Sequence, residues 1–169
     1  THDSFWVGED GPTHQPIETI SSLRMMPNVT VLRPSDPIET GCAWEAALKN
    51  TSGPSVLCLT RQNLEVLDRE QYNMDLSKGA YTMFQSGEGQ PDLLMIATGS
   101  EVKITLDAAE KLASEGTNVR VVSMPSRELF EAQDEAYQSE VMADGCTKRM
   151  VVEAGTSYGW EKYIGRCGT

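Results

Sequence analysis

The sequence lacks the patterns that mark several common classes of protein. Its four cysteines are scattered and form no C-x-x-C pair, so we expect no zinc site. It has no basic run that could neutralise phosphates, and its net charge is -11, which argues against a sequence-independent nucleic-acid-binding protein. No apolar run approaches the roughly 18–20 residues that span a bilayer, and no signal peptide is visible. We therefore expect a reduced, cytoplasmic protein that binds neither nucleic acid nor membrane.

Short apolar runs alternate with helical patterns in the first part of the chain. Residues 29–32 have the β-branched composition of a strand, and residues 36–48 form a helix pattern that begins with a capping Asp36 and Pro37. Residues 55–60 form a continuous apolar run, which is typical of a strand buried on both faces of a parallel sheet. This order predicts an α/β layer fold.

The periodicity fades at residues 68–90, of which residues 78–84 could form one extended stretch, and we interpret this segment as an ordered linker. A second β–α pattern follows it. Apolar strands are predicted at residues 93–98, 119–124 and 149–155, with an amphipathic helix at residues 102–115. The fold class is thus α/β, with two small three-layer modules that are each built on a parallel sheet. Trp44 and Trp160 are expected to be core residues.

The first 18 residues concentrate groups that could perform acid–base chemistry. Both histidines, His2 and His14, lie there, and Asp10 is one of three acids between them. Glycines and a proline break regular structure, which predicts a polar loop whose side chains hold or move protons near neutral pH. The alternative is that the two histidines are ordinary surface residues, and spacing alone favours that alternative.

Three further sites lie near the ends of predicted strands. Arg61 comes after residues 55–60, at the edge where open parallel sheets bind ligands, and could hold a phosphate; a structural ion pair explains the position equally well. Gly99, Ser100 and Glu101 form a glycine turn before a helix. This is a weak anion-binding signal, and a tight turn with Ser100 as the helix cap is favoured. Glu153 is expected to pair with a nearby arginine or to cap a helix.

Residues 1–16 closely resemble the transketolase signature T-H-D-S-I-x-x-G-E-D-G-P-T-H-Q-P. The resemblance continues in order along essentially the whole chain, through Ser22-Leu23-Arg24, Arg33-Pro34-Ser35-Asp36, Thr60-Arg61-Gln62-Asn63-Leu64, Ile96-Ala97-Thr98-Gly99-Ser100-Glu101-Val102, Val121-Val122-Ser123-Met124-Pro125-Ser126 and Val152-Glu153-Ala154-Gly155. It implies that residues 1–67 are the C-terminal half of a pyrimidine-binding domain. Residues 68–90 would be a linker, and residues 91–169 most of the transketolase C-terminal domain, truncated at its end.

The resemblance also implies an activity. Transketolases transfer a two-carbon ketol unit from a ketose phosphate to an aldose phosphate, using thiamine diphosphate and a divalent metal, Mg or Ca. They are homodimers with active sites between subunits. By position, His2 and Arg61 would bind the substrate phosphate and Asp10 a substrate hydroxyl, while His14 would be the catalytic proton donor or acceptor beside the reacting carbon.

Two departures from the family pattern bear on this interpretation. Phe5 and Trp6 are bulkier than the family's usual residues, which affects the packing of the loop. The family's cofactor-activating glutamate, its aromatic residues and its metal site lie upstream of the Thr-His-Asp-Ser motif with which the sequence starts. We therefore expect a fragment that binds neither thiamine diphosphate nor metal by itself and is inactive alone. The alternatives are a non-catalytic regulatory or interaction module and an enzyme similar to dihydroxyacetone synthase.

Overall fold

The computed structural model describes Asp3, residues 11–166 and residues 168–169. The predicted site residues His2 and Asp10 lie outside the described residues, as do Phe5 and Trp6. In chain order, the helices and strands of the described part are α1 (Thr19–Arg24), β1 (Thr30–Leu32), α2 (Pro37–Lys49), β2 (Ser55–Leu57), β3 (Tyr81–Gln85), β4 (Leu93–Ala97), α3 (Glu101–Ser114), β5 (Val119–Ser123), α4 (Arg127–Glu131), α5 (Glu135–Met142), β6 (Arg149–Val152) and α6 (Glu161–Ile164).

The first sheet consists of β1 and β2, which pair in parallel with Val31 opposite Val56. Helix α2 connects them and begins as predicted, because the side chain of Asp36 accepts a hydrogen bond from the backbone N–H of Glu39 at 2.8 Å. The prediction that the second strand is buried on both faces is wrong. Strand β2 covers only Ser55–Leu57 and is half-buried throughout, and among the described residues it pairs with β1 alone.

The second sheet has the strand order β3-β5-β4-β6, and β4 pairs in parallel with both β5 and β6. This confirms the α/β class and the predicted parallel strands. The sheet also contains β3, an antiparallel edge strand that lies within the residues interpreted as a linker. A register shift between Thr82 and Phe84 interrupts its pairing and obscures the two-residue periodicity from which a strand is predicted.

Strand β4 separates the two halves of the core. Leu94 and Ile96 point to one face, where they pack with Phe130 of α4, with Trp160 just before α6 and with Tyr163 in α6. Met95 points to the other face, where it packs with Leu106 of α3. This alternation produces a three-layer arrangement of helix, sheet and helix.

The two tryptophans expected in the core have different surroundings. Trp160 is only 2% exposed, which confirms its predicted place in the core. The expectation for Trp44 is wrong, because its side chain is 54% exposed on α2. Helix α2 packs its small residues inward, and Ala43 is fully buried beside Leu32. The adjacent large side chain therefore lies on the outer face of the helix.

The two sheets meet where their strands end. The backbone N–H of Arg33, just after β1, donates to the carbonyl of Pro125 after β5 at 2.7 Å. The N–H of Gly99, after β4, donates to the carbonyl of Arg33 at 3.1 Å. These bonds bring the carboxyl edges of both sheets together. None of the helices in the described part of the chain combines the length and apolar character needed to cross a membrane.

Candidate functional site

The carboxyl edge shared by the two sheets contains a buried cluster of charges centred on Arg33. The guanidinium Nε of Arg33 donates to Oδ2 of Asp3 at 2.5 Å, and Nη1 donates to Oε2 of Glu101 at 2.6 Å. The same Nη1 also donates to the backbone carbonyl of Thr98. Arg33 has no exposed side-chain surface, and Asp3 is 4% exposed. One arginine therefore joins the N-terminal segment, the first sheet and the second sheet.

The pKa values of this cluster reflect its burial and its excess of negative charge. Burial raises the pKa of Asp3, Arg33 opposes this effect, and the nearby carboxylates of Glu101 and Glu153 add to the rise. Burial would lower the pKa of Arg33, but attraction by Asp3 and Glu101 outweighs it and leaves that pKa above its ordinary value. Arg33 therefore stays charged and favours the ionised form of Asp3.

His14 ends a short 3₁₀ turn, Pro12–His14, in the polar loop predicted from the sequence. Its backbone N–H donates to the carbonyl of Gly11 at 3.1 Å. Its side chain is exposed, and its ring Nδ1 lies 2.9 Å from the hydroxyl oxygen of Thr13. The contact engages Nδ1 of His14. A proton-transfer role for Nε2, the other ring nitrogen, is compatible with it.

Arg61 is exposed after β2, at the carboxyl edge of the first sheet. Its chain neighbours Thr60 and Gln62 line a cleft of about 330 Å³, together with Pro34, which follows β1, and Pro37, the first residue of α2. An arginine beside a cleft at this edge suits an anionic ligand. The described residues do not reveal the distances between Arg61 and His2 or Asp10, so the assembly of the four residues into one site stays a prediction.

The turn before α3 differs from the prediction. Ser100 has helical backbone angles and makes no capping hydrogen bond with its side chain, so its expected role as a cap is wrong. Its hydroxyl donates instead to Oε1 of Glu101 at 2.6 Å. The other oxygen of Glu101 accepts from Arg33 and from the backbone N–H of Ala154. A buried carboxylate occupies this helix start, which disfavours an anion there.

The expectation for Glu153 is confirmed, because its carboxylate pairs with both terminal nitrogens of Arg24. Trp160 also donates its indole N–H to Glu153 at 2.7 Å. Arg24 and Glu153 are both almost fully buried. This second ion pair connects α1 with the segment that follows β6.

A larger cleft of about 660 Å³ lies between α2, α4 and the turn at residues 76–78. Its apolar floor includes Leu76 and Leu129, and its charged rim contains three acids, Glu45, Asp75 and Glu128, but a single lysine, Lys49. This rim would repel a diphosphate. Within the described residues, no three His, Cys, Asp or Glu side chains form a group that could hold a metal ion.

The sequence interpretation missed the role of Arg33, which it named only as part of the family resemblance. A signal was available, because Arg33 follows a predicted strand just as Arg61 does. The difference between an exposed arginine and a buried one depends on Asp3, Thr98 and Glu101, which lie 30 to 68 positions away. Periodicity within one segment does not indicate such distant partners.

Two family models match the chain in succession. Residues 1–66 match the pyrimidine-binding domain of transketolase, and residues 79–169 match the transketolase-like C-terminal domain. The two matches together cover nearly all of the described residues.

Curated relatives and solved structures agree with these matches. A transketolase of Streptococcus pyogenes serotype M6 is 49% identical over 170 residues, which cover 99% of this chain and 23% of the relative. Transketolase 2 of Escherichia coli K12 is 48% identical over 169 residues, which cover 99% of this chain and 25% of the relative. The structure of transketolase from Leishmania mexicana has 47% identity and a TM-score of 0.88, over 97% of this chain and 24% of that one. The chain therefore spans about a quarter of the length of the curated relatives it matches.

Proposed function

Because this chain belongs to the transketolase family, we propose that the intact protein transfers a two-carbon ketol unit from a ketose phosphate to an aldose phosphate. The chain supplies residues of the substrate side of the active site. The observation that carries this proposal is the position of Arg61, which is exposed beside a cleft at the carboxyl edge of the first sheet. In a chain with a net charge of -11, a sugar phosphate needs such a local cation.

The four predicted residues have complementary roles in this proposal. Arg61 binds the substrate phosphate through charge-assisted hydrogen bonds, and His2 provides a second donor to it. Asp10 accepts a hydrogen bond from a substrate hydroxyl. His14 exchanges a proton with a substrate oxygen beside the reacting carbon, a role that suits an imidazole near neutral pH.

The family implies thiamine diphosphate and a divalent metal, Mg or Ca, as cofactors. The described residues do not fit these groups as a binding site of their own. No carboxylate or imidazole cluster suited to a metal occurs among them, and the larger cleft has an acidic rim. We therefore propose that other parts of the intact protein hold the cofactors. From the family we further propose that the intact protein is a cytoplasmic homodimer whose active sites lie between subunits.

A ketol-transfer assay of the intact protein tests the proposal. With xylulose 5-phosphate as donor and ribose 5-phosphate as acceptor, the products are a seven-carbon ketose phosphate and a three-carbon aldose phosphate. Formation of both products only in the presence of thiamine diphosphate would support it. Transfer to formaldehyde but not to ribose 5-phosphate would identify a dihydroxyacetone synthase instead, and absence of transfer to either acceptor would overturn the proposal.

A further inference from the structure

Arg33 is held from two sides at the junction of the two sheets. Its backbone N–H donates to the carbonyl of Pro125 at 2.7 Å, and its carbonyl accepts from the N–H of Gly99 at 3.1 Å. Both residues follow strands of the second sheet. The side chain of Arg33 then extends to Asp3 and Glu101. The position of the guanidinium is therefore fixed by the junction itself, and Asp3 is the partner that comes from the N-terminal segment.

The buried charge is an indication of a role beyond stability. Removing a guanidinium from water is costly, and a buried ion pair adds little net stability compared with apolar side chains of the same size. Arg33 directs Nε and Nη1 at two different carboxylates, a geometry that depends on the planar fork of arginine. Such a group is suited to fixing the place of its partners.

We propose that Arg33 is a positioning residue for phosphate recognition, which acts by holding Asp3, the chain neighbour of His2. The inference rests on the proposed function, in which His2 binds the substrate phosphate. The substrate oxygens do not need to touch Arg33 for it to affect phosphate recognition.

Arg24 provides a matched control. It is almost fully buried, it pairs with a buried carboxylate, and it also ties the first part of the chain to the second. Its carboxylate partner is Glu153 rather than Asp3. Loss of Arg24 therefore removes an equivalent ion pair without releasing Asp3, the chain neighbour of His2.

The experiment compares Arg33→Met with Arg24→Met in the intact protein. Steady-state kinetics are measured with xylulose 5-phosphate and with an unphosphorylated ketose such as erythrulose. For Arg33→Met we expect kcat/KM to fall about tenfold or more for the phosphorylated ketose and less than about threefold for the other. The preference for the phosphorylated substrate should thus decrease in Arg33→Met and stay within about twofold of wild type in Arg24→Met.

Two further variants keep the inference testable if Arg33→Met does not fold. Asp3→Asn keeps the shape of the side chain and removes its charge, and it should reduce the same preference. Arg33→Lys keeps a positive charge but lacks the fork that reaches Asp3 and Glu101, and it should restore only part of the preference. An unchanged preference in Arg33→Met, or in Asp3→Asn if the former does not fold, would overturn the inference. So would an equal loss of preference in Arg24→Met. A wild-type protein without ketol transfer would instead show that the proposed function itself has failed.

Discussion

Two hydrogen bonds join the guanidinium of Arg24 to the carboxylate of Glu153, with an Nη1–Oε2 distance of 3.0 Å and an Nη2–Oε1 distance of 2.8 Å. The pair is buried and lies between α1 and the segment after β6. Burial tends to raise the pKa of Glu153, but Arg24, Arg33 and the indole of Trp160 outweigh it and hold that pKa below the ordinary value of 4.5.

Glu153→Gln should therefore destabilise the chain in a pH-dependent way. The native pKa is lower than the unfolded one, so the charged form contributes stability above about pH 4.5, and this contribution is lost as the pH falls through the native pKa. At pH 7 the variant should lose roughly 1.5–3 kcal/mol of unfolding free energy. Urea unfolding at several pH values measures the difference from wild type, which should shrink under acid conditions. The exposed Glu70→Gln is the control, and a difference for Glu153→Gln that does not change with pH would contradict this account.

Tyr81→Phe should destabilise the chain by about 1–3 kcal/mol, because it leaves a buried acceptor without one of its donors. Glu39 has no exposed surface, and its carboxylate accepts from the hydroxyl of Tyr81, the hydroxyl of Ser123 and the N–H of Ser35. Denaturant unfolding measures the loss. Tyr158→Phe, at an exposed tyrosine, should change the free energy of unfolding by less than about 0.5 kcal/mol. Equal effects at the two positions would show that the Glu39 hydrogen bond contributes no stability.

Gly99→Ala should be much more harmful than Gly116→Ala. Both glycines have a positive φ, +61° and +93°, so an alanine is strained at either position. A Cβ at Gly99 would also lie 2.5 Å from Nη1 of the buried Arg33, whereas one at Gly116 would have no atom within 4 Å. We expect a loss of about 1 kcal/mol at Gly116 and at least about 1 kcal/mol more at Gly99. Thermal or urea unfolding compares the two, and equal losses would contradict the close packing around Arg33.

Cys58 should resist alkylation in the folded chain. Burial raises the pKa of its thiol from 9.0 to about 11, which lowers the thiolate fraction at pH 8 by about a hundredfold. Labelling with iodoacetamide followed by mass spectrometry of the Cys58 peptide measures the rate. The rate should increase by at least about a hundredfold in denaturing guanidinium chloride, where both burial and the pKa shift are lost. Similar rates in the two conditions would show that Cys58 is accessible in the folded chain.

Local sequence patterns predicted much of the fold. The capping Asp36 and Pro37 identified the start of α2, and continuous apolar runs identified β4 and β5, because these features depend on neighbouring residues. Strand β3 was placed in a linker because its irregular pairing with β5 obscures the pattern. The exposure of Trp44 depends on which face of α2 packs inward, and tertiary packing decides that.

The candidate site could be predicted only in part. The family motif identified His2, Asp10, His14 and Arg61 as candidates, and among the described residues the chain neighbours of Arg61, Thr60 and Gln62, line a cleft. The charge cluster of Arg33, Asp3 and Glu101 could not be predicted in the same way. Its members are distant in sequence and come together only when the two sheets meet.

The most direct test of the account is the KM of the intact protein for a ketose phosphate after Arg61→Gln, with the exposed Arg166→Gln as control. Loss of a charge-assisted phosphate contact costs about 1.5–3 kcal/mol, which corresponds to a rise in KM of about 10- to 150-fold. We expect that rise for xylulose 5-phosphate, little change for an unphosphorylated ketose, and no effect of Arg166→Gln on either substrate. A KM for xylulose 5-phosphate that stays within about twofold of wild type in Arg61→Gln would contradict the claim that this chain supplies the phosphate-binding side of the site.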